Sequence, residues 1–179
     1  MRVVGLDLAG SERNTTGFCI FEESGEKVVS TMLLHTDEEI VSGLKNACPD
    51  LIAVDAPLDF AGTDRECDIA LRKYGVLPPT MHGMRTLAVR GTALAKKIRE
   101  CQLEYVEVSV RASSKILGLN SKDDFVVQKR LMGLDLGGDI TKRILSRDEL
   151  DSVCAAVTGA LHLLGESEVI ANQVVIPRV

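Results

Sequence analysis

Five acidic side chains lie where carboxylates could do chemistry. Asp7 and Asp55 each end an apolar run of the kind that forms a buried strand. Glu107 lies in a third strand-like segment, and Asp148 and Asp151 lie at the start of an amphipathic helix. A buried, unpaired carboxylate is costly, so each should meet a metal, a hydrogen-bond partner or a water-filled cleft. Clustered hard oxygen donors without His or thiolate suit Mg²⁺ or Mn²⁺, and two such ions can support phosphodiester cleavage.

The segments around the first two acids predict a mixed sheet. Turn-forming residues 9–14 follow the first apolar run, and two further strand-like runs cover 17–21 and 27–34. These three strands are expected to form an antiparallel meander. Residues 37–47 have helical spacing and lead into the apolar run 51–55, so this fourth strand should join the sheet in parallel.

The rest of the chain is predicted to alternate between helices and one more strand. Residues 60–85 are expected to be an irregular insertion of helix and loop, and helices are predicted over 84–101 and 122–134. A strand is predicted over 102–110. The final helix begins at Ser146, where Glu149 completes a capping box, and its apolar stripe leaves both of its aspartates at the border of a cleft.

The segment Gly133–Gly138 copies the opening motif Gly5–Gly10 almost letter for letter. No apolar run precedes this second copy, so we predict a helix that ends in glycine there, with no strand and no site.

Length and composition indicate an ordinary globular protein. The chain has 179 residues, which predicts a single domain over 1–179, and 45% of them are hydrophobic and 26% charged. The odd number of cysteines, five, and the absence of Cys-x-x-Cys spacing indicate reduced thiols with no zinc site. No signal sequence or membrane-spanning run is visible, so a cytoplasmic location and no membrane partner are expected.

Positive charge is concentrated in the middle of the chain. The net charge is −5, yet residues 85–147 carry 13 Lys and Arg against 7 Asp and Glu. These side chains could contact phosphates or could be solvated helix faces. The candidates for phosphate contact are Arg85, Arg90, Arg111 and Lys115.

The opening motif resembles two superfamilies. Actin-like kinases hold phosphates with such a hairpin, whereas ribonuclease H-like nucleases place a metal-binding Asp on the same strand. Gly5–Ser11 together with Asn14–Gly17 is similar to the start of RuvC-type junction resolvases. The predicted order of elements is also that of the ribonuclease H-like fold, in which the first and fourth strands are neighbours and the last helix crosses them. This resemblance implies an α/β fold with a mixed sheet, an antiparallel three-strand meander plus parallel strands, flanked by helices.

A more specific resemblance is to the predicted ribonuclease H-like nucleases grouped as domain of unknown function 429. It rests on motifs in the order that this family has, which are Gly5-Leu6-Asp7, Ile52–Leu58, Arg65–Asp68 with Arg72, Glu107-Val108 and Asp148-x-x-Asp151. The resemblance implies that Asp7, Asp55 and Asp151 are metal ligands, with Glu107 and Asp148 as further candidates.

The same resemblance implies that Arg65, Asp68 and Arg72, which share a helix face, form a cluster that is either close to the substrate or structural. The chain departs from the family where Val108-Ser109-Val110 replaces an expected proline. RuvC-type enzymes carry Glu on the fourth strand, where this chain has Asp55, so the third metal ligand stays open.

The sequence thus predicts a nuclease or phosphodiesterase that depends on Mg²⁺ or Mn²⁺, in a one- or two-metal site, and acts on DNA or RNA. Asp7, Asp55, Glu107 and Asp151 are its predicted catalytic residues, and a homodimer is a further expectation. Two alternatives stay open. One is a nucleotide- or phosphate-binding protein of actin-like ancestry, and the other is a non-catalytic interaction protein on the same fold.

Overall fold

The computed structural model describes residues 1–178, which form a mixed eight-stranded sheet with helices on both faces. The strands are β1 (Arg2–Asp7), β2 (Thr16–Glu23), β3 (Lys27–Leu34), β4 (Leu51–Asp55), β5 (Tyr105–Val108), β6 (Leu136–Gly138), β7 (Ser167–Ile170) and β8 (Val174–Pro177).

Seven α-helices connect and cover these strands, and a 3₁₀ turn (Arg72–Tyr74) follows the second of them. The helices are α1 (Asp37–Ala47), α2 (Glu66–Leu71), α3 (Met84–Glu100), α4 (Val110–Ile116), α5 (Asp124–Met132), α6 (Asp139–Lys142) and α7 (Arg147–Leu163).

The strand order is β6-β3-β2-β1-β4-β5-β8-β7. The first three strands form the predicted antiparallel meander, and β4 adds to β1 in parallel. Strands β5 and β8 continue the parallel part, and β7 pairs antiparallel at the edge. The predicted mixed α/β sheet flanked by helices is therefore confirmed.

Alternation along the strands decides which face of the sheet each side chain meets. On β1, Val3 packs in the core beneath α7, while Val4 and Leu6 pack in the core beneath α1 and α3. On β4, Ala53 belongs to the α7 side and Val54 to the opposite side. Since side chains alternate with a period of two, the acids that end both strands belong on the face that α7 covers.

Helix α7 lies unusually close to the sheet because two glycines face it. A Cβ atom at Gly5 would clash with the Ser152 carbonyl oxygen and the Ala156 backbone nitrogen. A Cβ atom at Gly17 would clash with the Asp148 carbonyl oxygen. Glycine at these positions of β1 and β2 allows helix backbone to touch strand backbone.

The stretch 60–85 contains α2, the 3₁₀ turn and loop, and none of these described residues belongs to a strand. Among the described residues, no helix combines the length and the apolar character that crossing a membrane requires.

Two sequence predictions about strands need correction. Helix α5 ends at Gly133 as expected, but Leu136–Gly138 then pairs in parallel with the start of β3, where no strand was predicted. Two of the three strand residues are glycine, so the segment shows no apolar run, and burial of the Leu136 side chain seats it at the sheet edge. Strand β5 is also shorter than 102–110, because Ser109 already caps α4.

Candidate active site

Asp7 and Asp55 end adjacent parallel strands in register with one another, as the two apolar runs predicted. Both carboxylates line a cavity of about 200 Å³ at the carboxyl end of these strands. Asp55 accepts a hydrogen bond from the Val110 backbone N–H at 3.1 Å, which fixes one of its oxygens. Asp7 accepts no hydrogen bond from any of residues 1–178.

Helix α7 brings two more acids to this point. Ser146 accepts a hydrogen bond from the Glu149 N–H, and the Glu149 side chain accepts one from the Ser146 N–H, so the predicted capping box is confirmed. The helix begins there, one residue before Arg147, which sets Asp148 and Asp151 in its first two turns. Asp148 accepts a hydrogen bond from the Thr15 hydroxyl of the loop between β1 and β2.

The electrostatics of these carboxylates show that they repel one another. Burial, followed by the charges of Asp55, Asp151 and Asp148, raises the pKa of Asp7 to about 9. Burial also raises the pKa of Asp55 to about 7, against the opposing effect of the Val110 N–H. Burial raises the pKa of Asp151 to about 6, where Arg147 opposes the shift. Such a group of acids is stabilised by a proton or a cation.

The donor chemistry of the site fits a hard divalent cation, since every candidate ligand is a carboxylate oxygen. Across residues 1–178, however, no group of three or more His, Cys, Asp or Glu side chains is placed to hold a metal ion. Strand pairing fixes the relative position of Asp7 and Asp55, so these two acids are the pre-formed part of the candidate metal site.

Glu107 lies in a different environment from the two strand-end aspartates. Its carboxylate accepts hydrogen bonds from Arg65 Nη1 and Nη2 at 2.9 and 2.7 Å and from the Leu58 backbone N–H at 2.8 Å. Arg65 also binds Asp68 through Nε and Nη2 at 3.0 and 2.9 Å. Burial raises the pKa of Glu107, and Arg65 opposes that shift. These contacts favour a structural role for Glu107, Arg65 and Asp68 beside the site.

Three other predicted substrate contacts lie in different places. Arg90 is buried, where it pairs with Asp37 and donates to the carbonyls of Ala9 and His35, so it fixes the loop after β1. Arg72 forms an exposed ion pair with Asp64 in the insertion. Arg85 is exposed in the first turn of α3 and lines neither cavity at the carboxylates.

Arg111 and Lys115 do lie at the carboxylates. Both line a second cavity, of about 550 Å³, which also contains Asp55 and Asp151. Arg111 lines the smaller cavity as well, and its charge lowers the pKa values of both of these aspartates, against burial. Among the predicted phosphate contacts, Arg111 is therefore the best placed to interact with a group bound at Asp55 and Asp151.

Sequence reasoning missed two basic residues of the larger cavity. Lys122 and Arg147 line it, and Arg147 also donates to the Ser121 carbonyl and pairs with Asp124. Arg147 directly follows the capping Ser146, so the sequence places it at the same helix end as Asp148 and Asp151, and this could have marked it as a site residue. Lys122 lies in an irregular loop between α4 and α5, for which the sequence offered no such signal.

The sheet order, an antiparallel meander continued by parallel strands, is that of a ribonuclease H-like α/β fold. Neither a protein-family model nor a curated protein sequence matches the chain. Among solved structures, RuvC from T. thermophilus in complex with a Holliday junction substrate aligns with a TM-score of 0.59 and 11% identity. A second Thermus thermophilus RuvC structure aligns with a TM-score of 0.55 and 14% identity. Both alignments cover 92% of this chain and 97% of RuvC, and they establish the shared fold.

Proposed function

We propose that this protein is a nuclease that depends on a divalent metal ion and hydrolyses phosphodiester bonds in DNA or RNA. The observation that carries the proposal is the pair of partly buried acids, Asp7 and Asp55, which lie in register on neighbouring strands and face the helix that supplies Asp151. Mutually repelling carboxylates are maintained at a cost, and cation binding at a functional site accounts for that cost. The likeness of the fold to RuvC, solved with a Holliday junction, is consistent with nucleic acid as substrate.

In this proposal Asp7, Asp55 and Asp151 hold Mg²⁺ or Mn²⁺, and Asp148 is a further candidate ligand. Such a bound ion supplies Lewis acidity and stabilises the attacking and leaving oxygens of the cleaved phosphodiester. The Val110 N–H keeps one Asp55 oxygen in place, so this ligand is pre-oriented.

Two basic groups have separate tasks in this scheme. Arg111, at the junction of the two cavities, neutralises the phosphate. Arg65 keeps Glu107 paired, so Glu107 is a positioning residue that shapes the wall next to Asp55 without binding metal.

In hydrolysis the water oxygen bonds to phosphorus, one ester oxygen leaves with a proton, and the remaining water proton passes to solvent.

The motifs shared with domain of unknown function 429 lead us to propose that the chain belongs to that group. Those motifs include Asp7, Asp55 and Asp151, which this structure places on β1, β4 and α7.

Cleavage of an end-labelled single-stranded oligonucleotide tests the proposed activity. We expect cleavage in Mn²⁺ or Mg²⁺, none in chelator, and a steep fall with salt because phosphate contacts release counterions. Asp55→Asn should reduce the rate by at least about a hundredfold, the scale for loss of one electrostatic contact to a transition state. The matched control is Asp135→Asn, an exposed acid in the copied motif Gly133–Gly138.

Cleavage that persists in chelator would refute the metal mechanism. Nucleotide-dependent heat stabilisation without strand cleavage would favour the actin-like alternative. A folded protein that neither cleaves nor responds to Mn²⁺ or Mg²⁺ would favour the non-catalytic alternative.

A further inference from the structure

The larger cavity beside the carboxylates extends away from them between two helices. We call it the α4–α7 cavity, and its volume of about 550 Å³ is enclosed by α4, the loop after it, α5 and the start of α7. Asp55 and Asp151 lie in its lining. A group that occupied this cavity would therefore be adjacent to the proposed cleavage point.

The basic side chains of the α4–α7 cavity differ in how far they are already satisfied. Arg147 pairs with Asp124, and Arg111 donates to the Gly75 carbonyl at 3.1 Å. The exposed amines of Lys115 and Lys122 form no hydrogen bond or ion pair with any side chain or backbone group of residues 1–178. The Lys115 amine lies beside Gly75, at one end of the cavity, and two unneutralised cations that line one cavity attract an anion such as a phosphate.

The inner wall of the same cavity is apolar. Val110, Leu119, Val127 and Leu131 form its floor, where each side chain is at most 5% exposed and only its outermost atoms reach the cavity. This aliphatic surface suits the flat, weakly polar face of a nucleobase, while the lysines suit the phosphate attached to it. The volume lies in the range that encloses a drug-sized ligand, which is also the size of one nucleotide.

A base can reach this wall only when it is unpaired. In a duplex the bases are stacked inside the helix, and enzymes that bind a single base in a pocket act on single strands or take the base out of the stack. The cavity is too small to admit a base pair together with its two backbones.

From this combination of cations, apolar wall and volume, we infer that the α4–α7 cavity binds one unpaired nucleotide of the substrate strand, next to the phosphodiester at the carboxylates. The inference rests on the proposed nuclease function and deepens it. The substrate class is a strand with unpaired nucleotides, in preference to continuous duplex. Lys115 and Lys122 bind its backbone phosphates, and its base lies over the apolar floor that the four aliphatic residues form.

Fluorescence anisotropy in chelator tests the inference without requiring cleavage. The probes are a fluorescein-labelled single-stranded oligonucleotide and a blunt duplex of the same length. We expect the single strand to bind at least tenfold more tightly. Lys115→Ala combined with Lys122→Ala should weaken its binding and reduce the slope of log K against log salt by about 1.4, since each phosphate contact of a single strand contributes about 0.7.

The charge-matched control is Lys129→Ala combined with Lys142→Ala, two exposed lysines outside the cavity. This control should leave the salt slope unchanged. A third variant, Ser114→Phe, fills the cavity from α4 without changing charge and should remove the preference for single strands.

Equal affinity for both probes would overturn the inference that the α4–α7 cavity binds an unpaired nucleotide. Equal changes in affinity and salt slope for the two pairs of lysine substitutions would overturn it as well. Loss of the proposed nuclease function would show differently, as an absence of cleavage in Mn²⁺ by a protein that still binds single strands through Lys115 and Lys122.

Discussion

Asp7→Asn is expected to abolish metal-dependent cleavage and yet leave the metal-free protein at least as stable as wild type. Burial, followed by the charges of Asp55, Asp151 and Asp148, raises the pKa of Asp7 to about 9, so the folded wild type must hold a proton there that a neutral amide of the same shape does not need. The gain should be on the order of 1 kcal/mol, or about 2–4 °C in Tm for a domain of this size. A thermal melt in chelator measures it.

Millimolar Mn²⁺ should reverse this ranking, because a ligand stabilises only the protein that can bind it. Asp135→Asn serves again as the control and should show neither the gain nor the reversal. A lower Tm for Asp7→Asn in chelator, with no crossover on adding Mn²⁺, would mean that Asp7 only accepts local hydrogen bonds and is no part of an active site.

The stability of the metal-free protein should also depend on pH through Asp7. Its pKa is raised from 3.8 to about 9, so between these values the folded state holds a proton that the unfolded state releases. The free energy of unfolding of wild type therefore falls as pH rises through this window. Asp7→Asn lacks this contribution, and its advantage over wild type should widen from about pH 4 to about pH 9 in chelator. A constant difference across that range would contradict the assignment.

Arg65→Met should be the most destabilising change near the site. Arg65 is the basic partner of two buried acids, Glu107 and Asp68, and its side chain is only 10% exposed. Removing it leaves both carboxylates unpaired, which costs about 3–5 kcal/mol. At about 2–4 °C per kcal/mol this corresponds to a fall in Tm of roughly 6–20 °C. Chemical denaturation with urea measures the free energy directly.

Arg72→Met is the matched control, because Arg72 lies in the same segment but its ion pair with Asp64 is exposed. Its cost should stay below about 1 kcal/mol. Adding Glu107→Gln to Arg65→Met should recover part of the loss, since one unpaired charge is removed. If Arg65→Met and Arg72→Met cost the same, the buried network contributes nothing to stability.

The sequence was informative where a local pattern has one structural solution. Apolar runs ending in Asp7 and Asp55 predicted paired parallel strands, and the Ser146 capping box predicted where α7 begins; the structure confirms both. The capping box at Thr36 and Glu39 likewise marks the start of α1. In each case the periodicity or cap acts within a few residues and needs no knowledge of the rest of the fold.

Local patterns could not predict which residues pair when they lie far apart in the chain. Arg90 was predicted as a candidate phosphate contact on a basic helix, and no local pattern indicated that it pairs with Asp37, 53 positions earlier in the chain. Glu107 was predicted as a further candidate ligand, and no local pattern indicated that Arg65 pairs with it from the insertion. The edge strands β6 and β7, and β8 beside β7, are three or four residues long, too short to establish a period. Partner choice and edge pairing depend on how separate segments meet.

The contact of α7 with β1 and β2 through Gly5 and Gly17 has a consequence for how the protein moves. Backbone that touches backbone leaves no side-chain layer in which a small slide could be absorbed, so the helix and the two strands open as one cooperative unit. The spacing between the acid of β1 and those of α7 therefore persists until that unit opens. Any adjustment to substrates of different shape must come from the loops around the acids, which include residues 119–122 in the lining of the α4–α7 cavity.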